Sequence, residues 1–309
     1  MYNMNLNKLK NSSLLFTSAL IWGVAFVFQS LGNDYMQPFT FSASRNFFGF
    51  LVLIPFIVAK RLKNKRTQNK IEFSKKVTVI GGIFCGLALT IASLFQQYGI
   101  KYTTVGKSGF ITALYIIITP ILGIFIKKKC PFTVWISAVC ALFGMYLLCI
   151  TDSFSISLGD ALVFICAIFF SVHILFIDYF SPNTDGVTLS CIQFFVCFFI
   201  STILALIFDK PTLQQIYDGI IPVLYAGIMS SGVAYTLQII GQKNFNPTAA
   251  AMILSLESVI SALAGYFAYS CGFLTQDQSL TVIQIVGCVI IFGAVIFVQI
   301  PFDKIKLKR

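Results

Sequence analysis

Charged residues are scarce in this sequence. Only 11% of its 309 residues are Asp, Glu, Lys or Arg, whereas soluble domains carry about 25%. Hydrophobic residues make up 57% of the chain. This balance excludes an ordinary soluble domain and indicates a polytopic membrane protein.

Motifs for several chemistries are also missing. The sequence contains no Gly-x-x-x-x-Gly-Lys-Ser/Thr motif, so the chain is not itself an ATP-driven pump. The nine cysteines lie mainly inside apolar stretches without metal-ligand spacing, and we interpret them as packing residues. We therefore expect no cofactor and no metal. We expect no nucleic-acid partner either, because no soluble domain is left to carry a basic face.

Long apolar runs are what the sequence has in abundance. Each is about 18 to 25 residues, the length an α-helix needs to cross about 30 Å of hydrocarbon. The runs predict an all-α integral membrane protein with ten transmembrane helices. We call these helices spans 1 to 10, in chain order: Leu14–Leu31, Phe39–Ala59, Val77–Tyr98, Val105–Ile126, Phe132–Ile150, Leu158–Ile177, Val187–Phe208, Ile216–Ile240, Pro247–Tyr269 and Leu280–Ile300.

The distribution of basic residues predicts the orientation of these spans. If the amino terminus is cytoplasmic, 18 of the 22 Lys and Arg fall on the cytoplasmic side, eight of them in the loop Lys60–Lys76. Only Lys101, Lys107 and Lys210 fall outside, and Arg45 lies within the membrane. Cytoplasmic loops of membrane proteins carry such an excess, so both termini are predicted to be cytoplasmic. The net charge of +11 is thus an orientation signal.

The sequence also aligns with itself. At an offset of 142 residues, Gln96 meets Gln238, Gly99 meets Gly241, and Leu114-Tyr115 meets Leu256-Glu257. We infer two five-helix units, residues 1–150 and 151–309. Because five is odd, the second unit would cross the membrane in the opposite sense, as in the inverted repeats of secondary transporters. Chance matching among apolar helices is the open alternative.

Two ionisable side chains fall inside the predicted spans. Glu257 lies about fifteen Å along span 9, near the midplane, and Arg45 lies roughly ten Å from the outer end of span 2. A charge at such depth costs roughly 2.5–3.5 kcal/mol, so it should face protein or a water-filled cavity. Glu257 has two possible roles. It binds a proton, a cation or a substrate amine, or it is a protonated carboxyl that packs between helices. Arg45 either attracts a substrate carboxylate or bonds helix ends and external loops.

Polar residues recur on four spans at steps of three and four, which keeps them on one helical face. Together they predict a shared hydrated cavity, although hydrogen bonding between helices would explain any one of them. The candidate substrate-binding or cavity-lining residues are Trp22, Arg45, Gln96, Tyr115, His173, Gln193, Tyr235, Gln238 and Glu257.

A rival hypothesis rests on His173 and Asp178. Their His-x-x-x-x-Asp pattern resembles that of glycerolipid acyltransferases, and would make the chain a membrane-embedded lipid-modifying enzyme. Five helical steps, however, place the two side chains about 140° apart. No phosphate-binding loop accompanies them. A channel, the third alternative, would need a ring of charges that the sequence does not suggest.

Four motifs resemble those of the EamA-type family of the drug/metabolite transporter superfamily, over all ten spans. They are Ile21-Trp22-Gly23, Arg45-Asn46-Phe47-Phe48, Gly109 to Tyr115 with Pro120, and Leu256-Glu257-Ser258-Val259, where Ser258 replaces the family's proline. The resemblance implies a carrier of the plasma membrane, often an exporter of amino acids or related small metabolites. The missing nucleotide-binding motif implies that a gradient drives it. Its expected partners are a small-molecule substrate and the lipid bilayer. Rows of small residues permit close helix contact, and a homodimer is therefore a further alternative.

Overall fold

The computed structural model describes residues 2–67, 73–128, 132–149 and 157–299, and all regular structure in these ranges is helical. The first unit holds α1 to α6, and the second holds α7 to α14 with one 3₁₀ turn and two π-helices. In chain order they are α1 Tyr2–Tyr35, α2 Pro38–Thr67, α3 Lys75–Ile100, α4 Val105–Thr112, α5 Tyr115–Phe125, α6 Phe132–Cys149, α7 Leu158–Phe180, the 3₁₀ turn Ser181–Asn183, α8 Gly186–Leu204, π-helix Ala205–Asp209, α9 Leu213–Asp218, α10 Ile220–Leu224, π-helix Tyr225–Ala234, α11 Tyr235–Gln242, α12 Pro247–Leu254, α13 Glu257–Ser270 and α14 Val282–Gln299.

The membrane class predicted from composition is confirmed. Within the described ranges, eight helical stretches are long and apolar enough to cross a membrane, and they correspond to spans 1 to 4 and 6 to 9. Spans 5 and 10 contain shorter apolar stretches, Phe132–Gly144 in α6 and Val282–Ala294 in α14. A count of ten crossings, their direction and cytoplasmic termini stay predictions. The unit boundary near residue 150 lies outside the described residues.

Spans 4 and 9 are each broken near the middle. The breaks fall at Ala113–Leu114 and at Ser255–Leu256, which are equivalent positions at the offset of 142 residues. In span 9 the hydroxyls of Ser255, Ser258 and Ser261 each donate to the backbone carbonyl three residues earlier, at 2.8, 2.8 and 2.9 Å. Such back-bonding bends helices. Span 9 is therefore broken even though Ser258 stands where the family's proline would be.

The principal helix contacts join the two units. α1 packs on α11, α12 and α13, α7 packs on α3, α4 and α5, α2 packs on α8 and the second π-helix, and α6 packs on α14. Within each unit, one buried glutamine makes a matching hydrogen bond to a backbone carbonyl. Gln97 Nε2 donates to the Gln29 carbonyl at 2.9 Å, and Gln242 Nε2 donates to the Ile174 carbonyl at 3.4 Å, both across 68 residues of chain. Matching contacts in the two halves surround one central core.

The close approach of the α3 and α7 backbones yields a first prediction. A Cβ at Gly99 would lie 2.4 Å from Val163 Cγ2 and 2.9 Å from the Gly159 carbonyl oxygen. Because overpacking costs about 1–3 kcal/mol, we expect Gly99→Ala to lower the melting temperature of the detergent-purified protein. Gly293→Ala is the matched control, since its Cβ would meet no described atom within 4 Å. Equal melting temperatures for the two variants would contradict the packing of α3 against α7.

Candidate substrate cavity

A cavity lies at the centre of the bundle, where the breaks in spans 4 and 9 face α1, α2, α3 and α7. The empty space is about 400 Å³, of which about 20 Å³ is wide enough for the centre of a water molecule. One water needs about 10–15 Å³ on that measure, so the cavity has room for a water molecule but must widen for a larger solute. Its lining is Trp22, Phe26, Gln29, Arg45, Gln96, Tyr115, Phe170, Ile174, Ser230, Tyr235, Gln238, Leu254 and Glu257.

Seven of the nine candidate residues line this cavity, and two do not. His173 and Gln193 are fully buried and bond each other, with His173 Nε2 3.0 Å from Gln193 Oε1. The His173 ring lies edge-on to Tyr235, 5.8 Å between ring centroids. Because Tyr235 lines the cavity, His173 and Gln193 pack behind its wall. Helical spacing alone cannot distinguish a face turned to a cavity from one turned to a neighbouring helix.

Glu257 and Tyr115 occupy equivalent positions at the two helix breaks. Each is the first residue of a half-helix, Tyr115 of α5 and Glu257 of α13. The two side chains are close enough to interact electrostatically. In the described part of the chain, neither the Tyr115 hydroxyl nor Glu257 Oε1 has a hydrogen-bond partner. The N-terminus of a helix favours negative charge, so the start of α13 suits the Glu257 carboxylate.

Arg45 supplies the opposite charge. Its side chain is only 3% exposed, Nη1 donates to Gln29 Oε1 at 2.9 Å, and Nε donates to Ser231 Oγ at 3.4 Å. Among the described residues, no carboxylate lies within ion-pair distance of Arg45. A guanidinium has five N–H donors, so some remain for another acceptor. The two hydrogen bonds thus join Arg45 to α1 and to the π-helix Tyr225–Ala234, and Arg45 shares the cavity lining with Glu257.

A π-helix, Tyr225–Ala234, forms one wall. Trp22 Nε1 donates to the Ser230 carbonyl at 3.4 Å, and Ser18 Oγ donates to the Ala234 carbonyl at 2.9 Å. The Trp22 and Tyr235 rings lie beside it with centroids 4.5 Å apart. Wider helices of this kind occur frequently at functional sites. The sequence prediction treated this segment as ordinary helix.

Six lining residues were not among the sequence candidates. The polar face predicted on span 1 does include Gln29, because it follows Trp22 by seven residues and so lies on the same helical face. The apolar lining residues carry no such sequence signal, since apolar side chains also face lipid. The six are Phe26, Gln29, Phe170, Ile174, Ser230 and Leu254.

The proposed acyltransferase pair does not act as a unit. His173 bonds Gln193, while the Asp178 carboxylate forms an ion pair with Lys128 at 2.5 Å. Nor do the described residues contain a group of three or more His, Cys, Asp or Glu that could hold a metal ion. The chemistry available in the cavity is therefore binding by charge, hydrogen bonds and aromatic surface.

Known proteins resemble this chain over nearly its whole length. The model of the EamA-like transporter family matches residues 10–150 and again residues 157–300. An uncharacterized transporter from Archaeoglobus fulgidus is 30% identical over 283 residues, which are 91% of this chain and 83% of that protein. The uncharacterized transporter YoaV from Bacillus subtilis is 22% identical over 296 residues, 93% of this chain and 96% of its own length. A crystal structure with 18% identity superposes with a TM-score of 0.71, covering 94% of this chain and 96% of the other, a likeness of fold alone.

Proposed function

Because this chain belongs to the EamA-like transporter family and is a multi-pass membrane transporter, not an enzyme, we propose that it carries amino acids or related small metabolites across the plasma membrane. Export by alternating access through the central cavity is the proposed mode. The observation that carries the proposal is that Arg45 and Glu257 line one cavity without pairing with each other. A zwitterion carries a carboxylate that matches Arg45 and an ammonium that matches Glu257.

The binding step follows from the cost of burying charge. An isolated buried charge is strongly unfavourable, and a partner with good hydrogen bonds offsets that cost. The substrate carboxylate would accept from the N–H groups of Arg45 that Gln29 and Ser231 leave over. The substrate ammonium would donate to Glu257. Trp22 and Tyr235 would bound the space for the side chain, and would set which substrates fit.

Widening of the cavity requires the surrounding helices to move. The breaks at Ala113–Leu114 and Ser255–Leu256 lie at the cavity in both halves and interrupt the regular helical bonding there. Hinges are commonly element ends of this kind. Rocking about the two breaks would open the cavity first to one face of the membrane and then to the other. Glu257 could couple this motion to a gradient by exchanging a proton or cation when the substrate leaves.

Ion pairs between the halves support the inverted arrangement. Lys107, near the start of α4, pairs with Asp160, near the start of α7, at 2.6 Å, while Lys128, just after α5, pairs with Asp178, near the end of α7. Spans 4 and 6 therefore run parallel. If consecutive spans alternate in direction, span 1 is antiparallel to span 4, and hence to span 6. The two five-helix units would then cross the membrane in opposite senses.

A ligand screen followed by counterflow tests the function. We expect amino acids to raise the melting temperature of the detergent-purified protein, because a ligand that binds only the folded state stabilises it. The N-acetyl derivative and the decarboxylated amine of each hit are the controls, and neither should shift it. In liposomes preloaded with the hit, labelled substrate should accumulate transiently. Absence of counterflow, or ion conductance far above carrier rates, would contradict a carrier.

A further inference from the structure

A second pocket lies at one end of the spans, apart from the central cavity. Its empty space is about 1070 Å³, of which about 390 Å³ is wide enough for the centre of a water molecule. The end of α2, the connection from α7 to α8 and the end of α11 enclose it, together with Phe73. No residue of this pocket lines the central cavity. We call it the basic pocket, because Lys60, Arg61 and Lys243 line it.

Among the described residues that line the basic pocket, one acidic side chain, Asp185, accompanies these three cations. Asp185 forms an ion pair and hydrogen bond with Lys60. Burial alone would raise the pKa of the Asp185 carboxyl, but the hydrogen bonds from Lys60 and Thr188 lower it below its ordinary value. Asp185 is therefore ionised at neutral pH and balances Lys60. Lys243 Nζ lies over the Phe73 ring, 4.5 Å from its centroid, a contact that leaves its charge unbalanced. Arg61 and Lys243 are therefore the positive charges available to a ligand.

A buried hydroxyl also lines the basic pocket. Ser181 is 2% exposed, and its Oγ has no hydrogen-bond partner in the described part of the chain. A buried polar atom without a partner costs about 1–3 kcal/mol, so an acceptor or donor supplied by a ligand would stabilise it. Because two cations line the same pocket, an anion with hydrogen-bonding oxygens is the fitting partner.

Part of the remaining wall is apolar and selects among such anions. Ile57, Val187, Ile239 and Ile240 line the pocket beside the charged groups. A soluble phosphate would leave this surface in contact with water, whereas a phospholipid covers it with its glycerol and the first part of its acyl chains. Lys and Arg near a membrane surface attract anionic lipid head groups in the same way.

We propose that the basic pocket binds the phosphate of an anionic phospholipid. Arg61 and Lys243 contact the phosphate oxygens, and Ser181 donates its hydroxyl proton to one of them. Arg61 belongs to the first unit, and Lys243 to the second. A bound lipid bridges the two units at this end of the bundle, and stabilises the conformation in which they lie this close.

The test measures lipid affinity of the purified full-length chain in mixed micelles, by quenching with brominated phosphatidylglycerol and brominated phosphatidylcholine. Wild type should bind phosphatidylglycerol at least about 25-fold more tightly than phosphatidylcholine. In Arg61→Gln/Lys243→Gln, that preference should fall about 25-fold, as two cations contributing about a factor of five each would predict. Lys8→Gln/Lys10→Gln removes the same charge outside the pocket and should change the preference less than twofold.

A second variant keeps the charge constant. Ser181→Ala should weaken phosphatidylglycerol binding about threefold or more, whereas Ser42→Ala, which removes another buried hydroxyl without a described partner, should not. Equal losses in the two double variants would overturn the proposal in favour of general attraction to an anionic surface. Competition by inorganic phosphate or glycerol 3-phosphate at the same concentration as the lipid would overturn it in favour of a soluble anion.

Discussion

Glu257→Gln should reduce substrate transport in liposomes by about 10- to 150-fold, the equivalent of about 1.5–3 kcal/mol for a lost hydrogen bond to a charged group. Glutamine has nearly the same shape as glutamate, but it cannot balance a substrate ammonium or exchange a proton. The folded state should survive, because replacing a buried carboxylate by an amide removes a desolvation cost. Initial rates of labelled substrate uptake and the melting temperature of the same preparation measure the two effects.

Asp277→Asn serves as the control for Glu257→Gln. It removes an exposed carboxylate from the segment between α13 and α14, outside the cavity lining. Its transport rate should stay within twofold of wild type. If Glu257→Gln transports normally at an unchanged melting temperature, Glu257 is a packing carboxyl, and the proposed coupling and substrate-amine roles are wrong.

Arg45→Gln should weaken binding of substrates that carry a carboxylate by about 10- to 150-fold, since the lost contact is again a charge-assisted hydrogen bond. Arg45→Lys should lie between the two, because it keeps the charge and loses the fork of donors that matches a carboxylate. The melting-temperature shift produced by saturating substrate reports the affinity directly. We expect the shift to be largest in wild type, smaller in Arg45→Lys and smallest in Arg45→Gln.

The control for the Arg45 variants is a substitution at the partner of its longer hydrogen bond. Ser231→Ala removes only the acceptor that lies 3.4 Å from Arg45 Nε, and should change affinity less than threefold. Should Arg45→Gln instead lower the melting temperature of the unliganded protein while transport per folded molecule stays normal, Arg45 would be a structural bond between α1 and α2. Its role toward substrate would then be rejected.

The charged groups of the cavity could be predicted from sequence, because an ionisable residue within an apolar span is costly anywhere except against protein or water. Arg45 and Glu257 stand out on that ground alone. Tyr115 could be predicted from the repeat, since it aligns with Glu257 at an offset of 142 residues. The same offset matches the two helix breaks, although the sequence prediction drew spans 4 and 9 as continuous.

Other features depend on contacts that no local pattern encodes. The π-helix Tyr225–Ala234 forms where Gly227 and Gly232 let α2 approach closely. A Cβ at Gly227 would lie 2.8 Å from the Arg45 carbonyl oxygen. His173 and Gln193 pair with each other across 20 residues of chain, and a polar stripe cannot reveal whether its members meet a partner helix or a cavity. Apolar lining residues such as Phe26 and Leu254 resemble every other apolar residue of a membrane helix.

Side-specific labelling of Ser230→Cys in sealed proteoliposomes tests most directly whether the cavity opens to both faces of the membrane. Ser230 lines the cavity and is 1% exposed, so a thiol there reacts only when the cavity opens. A membrane-impermeant maleimide should label this cysteine, above the level of the parent chain, when added from either side. Saturating substrate should protect it. Labelling from only one face under every gradient and substrate condition, or no labelling during active transport, would contradict alternating access through this cavity.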